Sequence, residues 1–152
     1  MKVMKLFSAN ILILAGILIC FSGCKKEEPI SKVPSIKFLS ITPNPAVKYQ
    51  DEIKVTIEYT DGDGDLGENI ADAKNAFITD SRNNVIYEFR IARLAPDNAN
   101  IIINGQLIFN LAPQGFIDDN NITETTTYSI YIKDRAGNAS NTVQTSSLTI
   151  NK

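Results

Sequence analysis

Apolar and polar residues alternate along much of the chain after residue 35. The segment DEIKVTIEYT (51–60) places Ile53, Val55, Ile57 and Tyr59 on one side and polar residues on the other. A period of two is typical of a β-strand with one buried and one solvated face. Three further segments alternate in the same way, and their predicted inward residues are Val85, Tyr87, Phe89 and Ile91; Leu107, Phe109 and Leu111; and Tyr128, Ile130 and Ile132.

Seven runs rich in β-branched and aromatic residues are separated by turn-forming residues, and no run has a convincing helical period. They are residues 35–41, 51–60, 75–81, 84–93, 105–112, 125–134 and 141–150. In the last run Val143 and Leu148 are five positions apart, so a regular strand would point them to opposite faces. We therefore expect a bulge or bend near residues 145–147. Seven short strands at regular spacing predict an all-β fold, an antiparallel β-sandwich that forms one domain over residues 35–152.

The segment YSIYIKDRAGNASNTV (128–143) predicts a strand that runs into a tight turn. Gly137 and Asn138 tolerate positive φ, and the side chain of Asp134 can accept hydrogen bonds from nearby backbone amides. The segment resembles the final hairpin of bacterial immunoglobulin-like and fibronectin type III-like modules, in which a strand leads into an Asp-x-Ala-Gly-Asn turn. The resemblance implies an immunoglobulin-like sandwich of about seven strands, and a fold alone does not give a function.

The N-terminal residues have the pattern of an export signal. Lys2 and Lys5 precede an uncharged run at residues 11–21, which is shorter than the roughly 20 apolar residues of a transmembrane helix. The segment FSGC (21–24) resembles the lipobox of bacterial lipoproteins, in which two small residues precede a lipid-modified cysteine. The resemblance implies that residues 1–23 are a signal peptide and that Cys24 carries a covalent lipid. An ordinary secretory signal or a single anchor helix is the alternative.

The residues after Cys24 are charged. Lys26, Glu27 and Glu28 resemble the lipoprotein export signal of Bacteroidota, a lysine followed by two acidic residues. The resemblance implies a lipid-anchored protein of the outer membrane that faces the cell surface, with a periplasm-facing anchor as the alternative. Residues 24–34 carry the lipidated cysteine and two prolines and are predicted to form a tether to the domain.

The amino-acid composition disfavours several classes of function. Residues 1–23 hold two of the 15 basic side chains and none of the 17 acidic ones, so the remaining chain has 13 basic and 17 acidic groups and a net charge of −4. With no basic run, nucleic-acid binding is disfavoured. The chain has no histidine, which removes the commonest general base, and only Cys24 remains after cleavage, so no intramolecular disulfide can form.

The densest cluster of candidate ligands is DGDGDLGEN (61–69), directly after a strong strand. Asp61, Asp63 and Asp65 alternate with glycines that let the backbone curl, so the carboxylates can converge on a hard cation such as Ca²⁺. Glu68, Asn69 and Asp72 are further candidate ligands. The EF-hand pattern fails because Leu66 stands where glycine is required. The alternative is a solvated acidic turn that holds no ion.

These features predict a non-catalytic, surface-anchored lipoprotein that presents an immunoglobulin-like module to a glycan or protein partner and that calcium stabilises. A structural spacer or subunit of a cell-envelope assembly is the second interpretation. A small glycan-acting enzyme, with Asp61 and Glu68 as its two carboxylates, is the third. A glycan-binding module is expected to expose aromatic residues on one face, whereas a spacer is expected to have a polar surface and an open edge strand.

Overall fold

The computed structural model describes residues 30–152, which form ten β-strands and no helix. The strands are β1 (Ser35–Thr42), β2 (Ala46–Val47), β3 (Ile53–Asp61), β4 (Ala76–Asp80), β5 (Ile86–Phe89), β6 (Ile103–Leu111), β7 (Thr123–Thr126), β8 (Tyr128–Ile132), β9 (Val143–Gln144) and β10 (Leu148–Asn151). The all-β prediction is confirmed, with ten strands where about seven were expected. The difference arises because β2, β7 and β9 are short, and because the last two predicted runs are each divided in two.

The strands form two main sheets and one small one. One main sheet has the order β1-β3-β6 and the other β5-β4-β8-β9, and all their pairs are antiparallel. The first, second and fifth strands of an immunoglobulin-like sandwich share one sheet. If the two-residue β2 is not counted, β1, β3 and β6 are the first, second and fifth strands of this domain, and they also share one sheet. The small sheet has the order β2-β10-β7, and its β2–β10 pair is parallel.

A single hydrophobic core lies between the two main sheets. Alternate residues of β3 and of β8 are buried, as their period of two predicts. The ring of Phe89 on one sheet packs against the ring of Phe109 on the other, with 5.3 Å between the centroids. Each fully buried side chain of this kind stabilises the fold by about 1.5–3 kcal/mol. The contact between these rings joins the two sheets across the core.

One predicted inward residue is not buried. Val85 is 44% exposed, whereas Ile91 of the same run is buried and Tyr87 and Phe89 are half-buried. The reason is that Val85 lies in the turn between β4 and β5, where its carbonyl accepts a hydrogen bond from Asp80 N (3.0 Å). Val85 therefore precedes the paired residues of β5, and its side chain is left on the surface.

The predicted bulge in the last strand is confirmed. Ile130 pairs with Val143 of β9, and Thr126 pairs with Leu148 of β10. Between these two pairs the segment from β9 to β10 therefore contains one more residue than the segment from β7 to β8. Thr145 lies at the irregularity and is buried. Its backbone N–H donates to Tyr128 O (2.9 Å), and its hydroxyl accepts from Tyr128 N (3.0 Å), so the break leaves these backbone groups satisfied.

A nearly buried ion network holds the loop between β6 and β7. The guanidinium of Arg82 donates to Asp80 Oδ2 (2.7 Å), to Glu124 Oε2 (3.1 Å) and to Gly115 O (2.9 Å). The Glu124 carboxylate also accepts hydrogen bonds from the backbone amides of Ile117 and Asp118. These two amides, ahead of other contacts, lower the pKa of Glu124 to about 2. The Glu124 carboxylate thus joins Arg82 to the backbone of the loop between β6 and β7.

The sandwich has two ends with different loops. The end of the sandwich at which β3 finishes is called the Asp61 end. The chain enters the domain at this end, where Ser35 lies opposite Thr60. The loop segments at this end are 62–75, 90–102 and 133–142. The opposite end carries the segments 43–52, 81–85, 112–122 and 145–147. Residues 30–152 contain no helix of the length and hydrophobicity needed to span a membrane. The predicted signal peptide, Cys24, Lys26, Glu27 and Glu28 lie outside the described residues.

Candidate metal centre

Three carboxylates meet at the Asp61 end. Asp61 is the last residue of β3, and Asp63 and Asp65 follow it in the loop. Each of them offers one carboxylate oxygen, and these three oxygens all lie within 4.8 Å of one another. The side chain of Asp61 has no solvent exposure, and those of Asp63 and Asp65 are half-buried. The predicted convergence of this triad is confirmed.

Two glycines shape the loop around the triad. Gly64 has a φ of +76°, which side chains with a Cβ rarely adopt, and a Cβ there would lie 2.8 Å from the carbonyl oxygen of Ile101. A Cβ on Gly62 would collide with the carbonyl oxygens of Ile30 and Ser31. The glycines therefore do more than form a turn, because they also admit two other segments of the chain against the acidic loop.

Each carboxylate of the triad has one oxygen that contacts the protein. Asp61 Oδ2 accepts from Leu66 N at 3.1 Å, and Asp65 Oδ2 accepts from Ala136 N at 3.1 Å. Asp63 Oδ2 lies 3.9 Å from Lys32 Nζ. The second oxygen, Oδ1, is inaccessible to solvent in all three residues and has no hydrogen-bond partner among the described residues. Leaving a buried polar atom unpaired costs about 1–3 kcal/mol, so three such oxygens in one loop favour a bound cation.

The electrostatics of the triad agree with this geometry. Burial raises the pKa of Asp61, and although the hydrogen bond from Leu66 N opposes the effect, the charges of Asp63 and Asp134 add to it. Burial also raises the pKa of Asp65, with further contributions from Asp134 and Asp63. The protein thus concentrates negative charge where it is poorly solvated, an arrangement that a divalent cation would stabilise.

The turn between β8 and β9 closes over the loop. The carboxylate of Asp134 accepts from both the backbone and the side-chain nitrogen of Asn138, at 2.7 and 2.8 Å, and Gly137 has a φ of +89°. The predicted role of Asp134 is confirmed, and Gly137, not Asn138, takes the positive φ. The turn presents Arg135 N to Asp65 O at 3.2 Å and Ala136 N to the Asp65 side chain.

The other predicted ligands are placed elsewhere. Neither Glu68 nor Asp72 belongs to the carboxylate group of the triad. Glu68 Oε1 accepts from Asn69 N at 2.8 Å and lies 3.8 Å from the guanidinium of Arg93, while Asn69 and Asp72 are exposed. The cause is the backbone after the triad, where Glu68 N donates to the carbonyl oxygen of Ile91 and draws the chain towards the neighbouring segment.

An open groove of about 690 Å³ lies beside the triad. Its lining is polar and contains no aromatic residue: Asp63, Asp65, Asp97, Asn98, Asn100, Arg135 and Ala136. The asparagines were not predicted as site residues, and both have a positive φ, 58° for Asn98 and 46° for Asn100. The groove therefore brings a third segment, residues 97–100, to the side of Asp63 and Asp65.

Half-buried aromatic rings pair away from this groove. Phe77 on β4 stacks on Tyr131 on β8, with 4.8 Å between the centroids and 14° between the planes. Lys133 Nζ lies 5.5 Å from the Phe77 centroid. A cross-strand pair of this kind stabilises the sheet by about 0.2–1 kcal/mol. Because the two rings stack, each covers one face of the other, and neither ring lines the groove beside the triad.

Comparisons with known proteins return no relative: no family model, no curated protein and no solved structure matches this chain.

Proposed function

We propose that this protein is a lipid-anchored, non-catalytic binding module whose immunoglobulin-like domain holds Ca²⁺ at Asp61, Asp63 and Asp65. The observation that carries the proposal is the set of three buried, unpartnered Oδ1 atoms. Carboxylate oxygens are the ligands that hard divalent cations prefer, and the absence of histidine and of a nearby cysteine disfavours zinc and copper.

The loop supplies part of a calcium coordination sphere. Ca²⁺ takes 6–8 oxygens at about 2.3–2.6 Å, so three carboxylates leave several positions for carbonyl oxygens, water or a ligand. The groove opens on the side of Asp63 and Asp65, where Asn98 and Asn100 also lie. Calcium in this position would tie β3 to the turn at Asp134 through Asp65, and so would stiffen the Asp61 end.

The lipid anchor is supported by the sequence FSGC and by the position of the domain. The first strand begins at Ser35, so few residues separate Cys24 from the folded part. Two or three acyl chains hold a protein firmly on a membrane, since each buried methylene contributes about 0.8 kcal/mol. The charged residues Lys26, Glu27 and Glu28 favour the cell-surface face of the outer membrane.

Titration calorimetry tests the calcium site directly. Residues 25–152, which retain the whole core, are titrated with Ca²⁺ after treatment with EDTA, beside the variants Asp61→Asn and Asp72→Asn. We expect a saturable heat for the wild type and for Asp72→Asn, with a Kd of about 10⁻⁴–10⁻³ M, as for extracellular modules. We expect none for Asp61→Asn. Absence of binding in the wild type would make the loop a solvated acidic turn.

A structural spacer is the second candidate, and the edge of β6 favours it. Within residues 30–152 this nine-residue strand pairs only with β3, and it has neither a charged residue nor a proline. Its outer face includes exposed Ile108. Uncharged edges of this length are templates for pairing with another strand. Light scattering at increasing concentration tests this candidate, which predicts self-association that Ile108→Lys weakens.

A further inference from the structure

The chain enters the domain along the acidic loop. Ser35 pairs with Thr60, one residue before Asp61. Just before this strand, the carbonyl oxygens of Ile30 and Ser31 occupy the space beside Gly62, and Lys32 Nζ lies 3.9 Å from Asp63 Oδ2. The first described residues therefore pack against the Asp61 end.

The position of Cys24 limits how far this end can lie from a membrane. Five residues lie between Cys24 and Ile30, so six residue steps join them. A fully extended chain spans at most about 3.3–3.6 Å per residue, or about 20 Å over this length. The sandwich itself is longer than this, since the nine residues of β3 span about 30 Å. With lipid on Cys24, the Asp61 end is thus the end of the domain that is held next to the bilayer.

The surface of the Asp61 end combines apolar and basic side chains around the triad. Its exposed large apolar residues are Ile30, Val33, Ile70, Leu94, Ile101 and Ile102. Ile101 lies directly against Gly64, and Ile70 lines a cleft with Arg135 and Lys133. Exposed apolar residues mixed with cations suit a surface that contacts lipid headgroups and the acyl boundary. The opposite end also exposes apolar residues, among them Tyr49 and Ile117, so it is the short link to Cys24 that selects the Asp61 end.

The triad controls the charge of that surface. Without a cation, three carboxylates repel the phosphates of an anionic bilayer, and within about 10 Å this repulsion is only partly screened by salt. A bound Ca²⁺ cancels two of the three charges and leaves coordination positions open towards the groove at Asp63 and Asp65. Phosphate oxygens of a lipid are hard ligands of the kind that Ca²⁺ accepts at such positions.

From this arrangement we infer that calcium docks the Asp61 end onto the anionic, phosphate-bearing lipid surface in which Cys24 is anchored. The inference rests on the proposed calcium site and lipid anchor and adds an orientation to them. The Asp61 end faces the bilayer when calcium is bound. The opposite end, with the loops 43–52 and 112–122, faces away from the membrane and is the end available to a partner.

A site-specific fluorescent probe tests the orientation in the lipidated protein. The mature chain has no cysteine besides Cys24, whose sulfur carries the lipid, so Ile101→Cys offers a single thiol for a polarity-sensitive dye. Ile117→Cys is the matched control, because Ile117 is similarly exposed (57% against 49% for Ile101) but lies at the opposite end. Each labelled protein is reconstituted in vesicles of phosphatidylcholine with phosphatidylglycerol, and Ca²⁺ and then EDTA are added.

We expect Ca²⁺ to shift the Ile101 dye to shorter wavelength and to reduce its quenching by iodide at least twofold, with reversal by EDTA. The Ile117 dye is expected not to respond, and Asp61→Asn is expected to abolish the response at Ile101. An Ile101 dye that stays in water while calcium still raises Tm would overturn the docking and leave the calcium site intact. A loss of the Tm shift itself would instead overturn the proposed function.

Two control experiments separate lipid from other ligands. In vesicles of phosphatidylcholine alone we expect less than half of the response, because the surface lacks net negative charge. An equal response there would overturn the requirement for an anionic surface. If a phosphate-free oligosaccharide in the absence of anionic lipid produced the same calcium-dependent shift at Ile101, the Asp61 end would be a glycan site and the inference would be wrong.

Discussion

Replacing Asp61 with asparagine separates two effects of the buried triad that act in opposite directions. Without calcium, three carboxylates whose oxygens lie within 4.8 Å destabilise the native state through mutual repulsion. At an effective dielectric constant of about 20, two unit charges at that distance repel by about 3.5 kcal/mol. Burial, together with this repulsion, raises the pKa of Asp61 and of Asp65. Asparagine removes one charge, keeps the shape, and retains a carbonyl oxygen that can accept from Leu66 N.

With calcium we expect the wild type to be more stable than Asp61→Asn, the reverse of the order expected without it. A ligand that binds only the folded state stabilises it by RT ln(1 + [L]/Kd), or about 1.4 kcal/mol at ten times Kd. For a domain of this size we expect a rise in Tm of about 4–8 °C in the wild type. Asp61→Asn is expected to show no rise, because it loses a buried ligand and aims an amide donor at the remaining carboxylates. In EDTA, however, we expect the variant to melt no lower than the wild type.

Differential scanning calorimetry of residues 25–152 in Ca²⁺ and in EDTA measures both effects. Asp72→Asn is the matched control, since it removes the same charge from an exposed site in the same loop and is expected to keep the full calcium shift. The reasoning fails if Asp61→Asn keeps the shift. It also fails if the variant melts several degrees below the wild type in EDTA, because Asp61 would then be satisfied by the protein alone.

Three further predictions concern the anchor and the opposite end. Labelling with a palmitate analogue should tag the wild type and miss Cys24→Ala; equal labelling would refute lipidation. Alanine at Lys26, Glu27 and Glu28 should leave the protein lipidated but protected from protease on intact cells, where the wild type is cleaved; a protected wild type would reverse the assigned leaflet. Since the folded pKa of Glu124 is lowered to about 2, its stabilising contribution is complete above pH 4.5 and is lost as pH falls towards 2. Glu124→Gln should flatten Tm over that window, and an unchanged slope would contradict the assigned role of Glu124.

Local periodicity was enough to predict the strands and part of the site. The run of Ile53, Val55 and Ile57 fixes which face of β3 is buried, and this in turn places Asp61 at the buried end of the strand. The parity change between Val143 and Leu148 likewise locates the bulge. These predictions succeed because each depends on residues a few positions apart. Over such a distance the geometry of a strand alone determines on which face of the sheet each side chain lies.

The positions of the candidate ligands after the triad depend on tertiary contacts, which the sequence pattern does not reveal. Glu68 and Asp72 follow the triad closely in sequence, but the hydrogen bond from Glu68 N to Ile91 O turns the chain away. Conversely, Ala136 completes the environment of Asp65 from 71 residues away. No pattern around Ala136 signals this contact, since its own turn is explained by Asp134 and Gly137.

The triad comes together only when the chain folds, and this affects how calcium would change the free energy of unfolding. The run of alternating Asp and Gly is present in the unfolded chain, where its carboxylates are solvated and far apart. The unpartnered Oδ1 atoms exist only after β3 buries Asp61, the turn at Ala136 covers Asp65, and the entering segment at Ser31 packs on Gly62. Calcium at this site would therefore bind the folded state much more tightly than the unfolded one. For the same reason, its binding would stabilise together the entry of the chain, the end of β3 and the last hairpin, which are the elements nearest the proposed anchor.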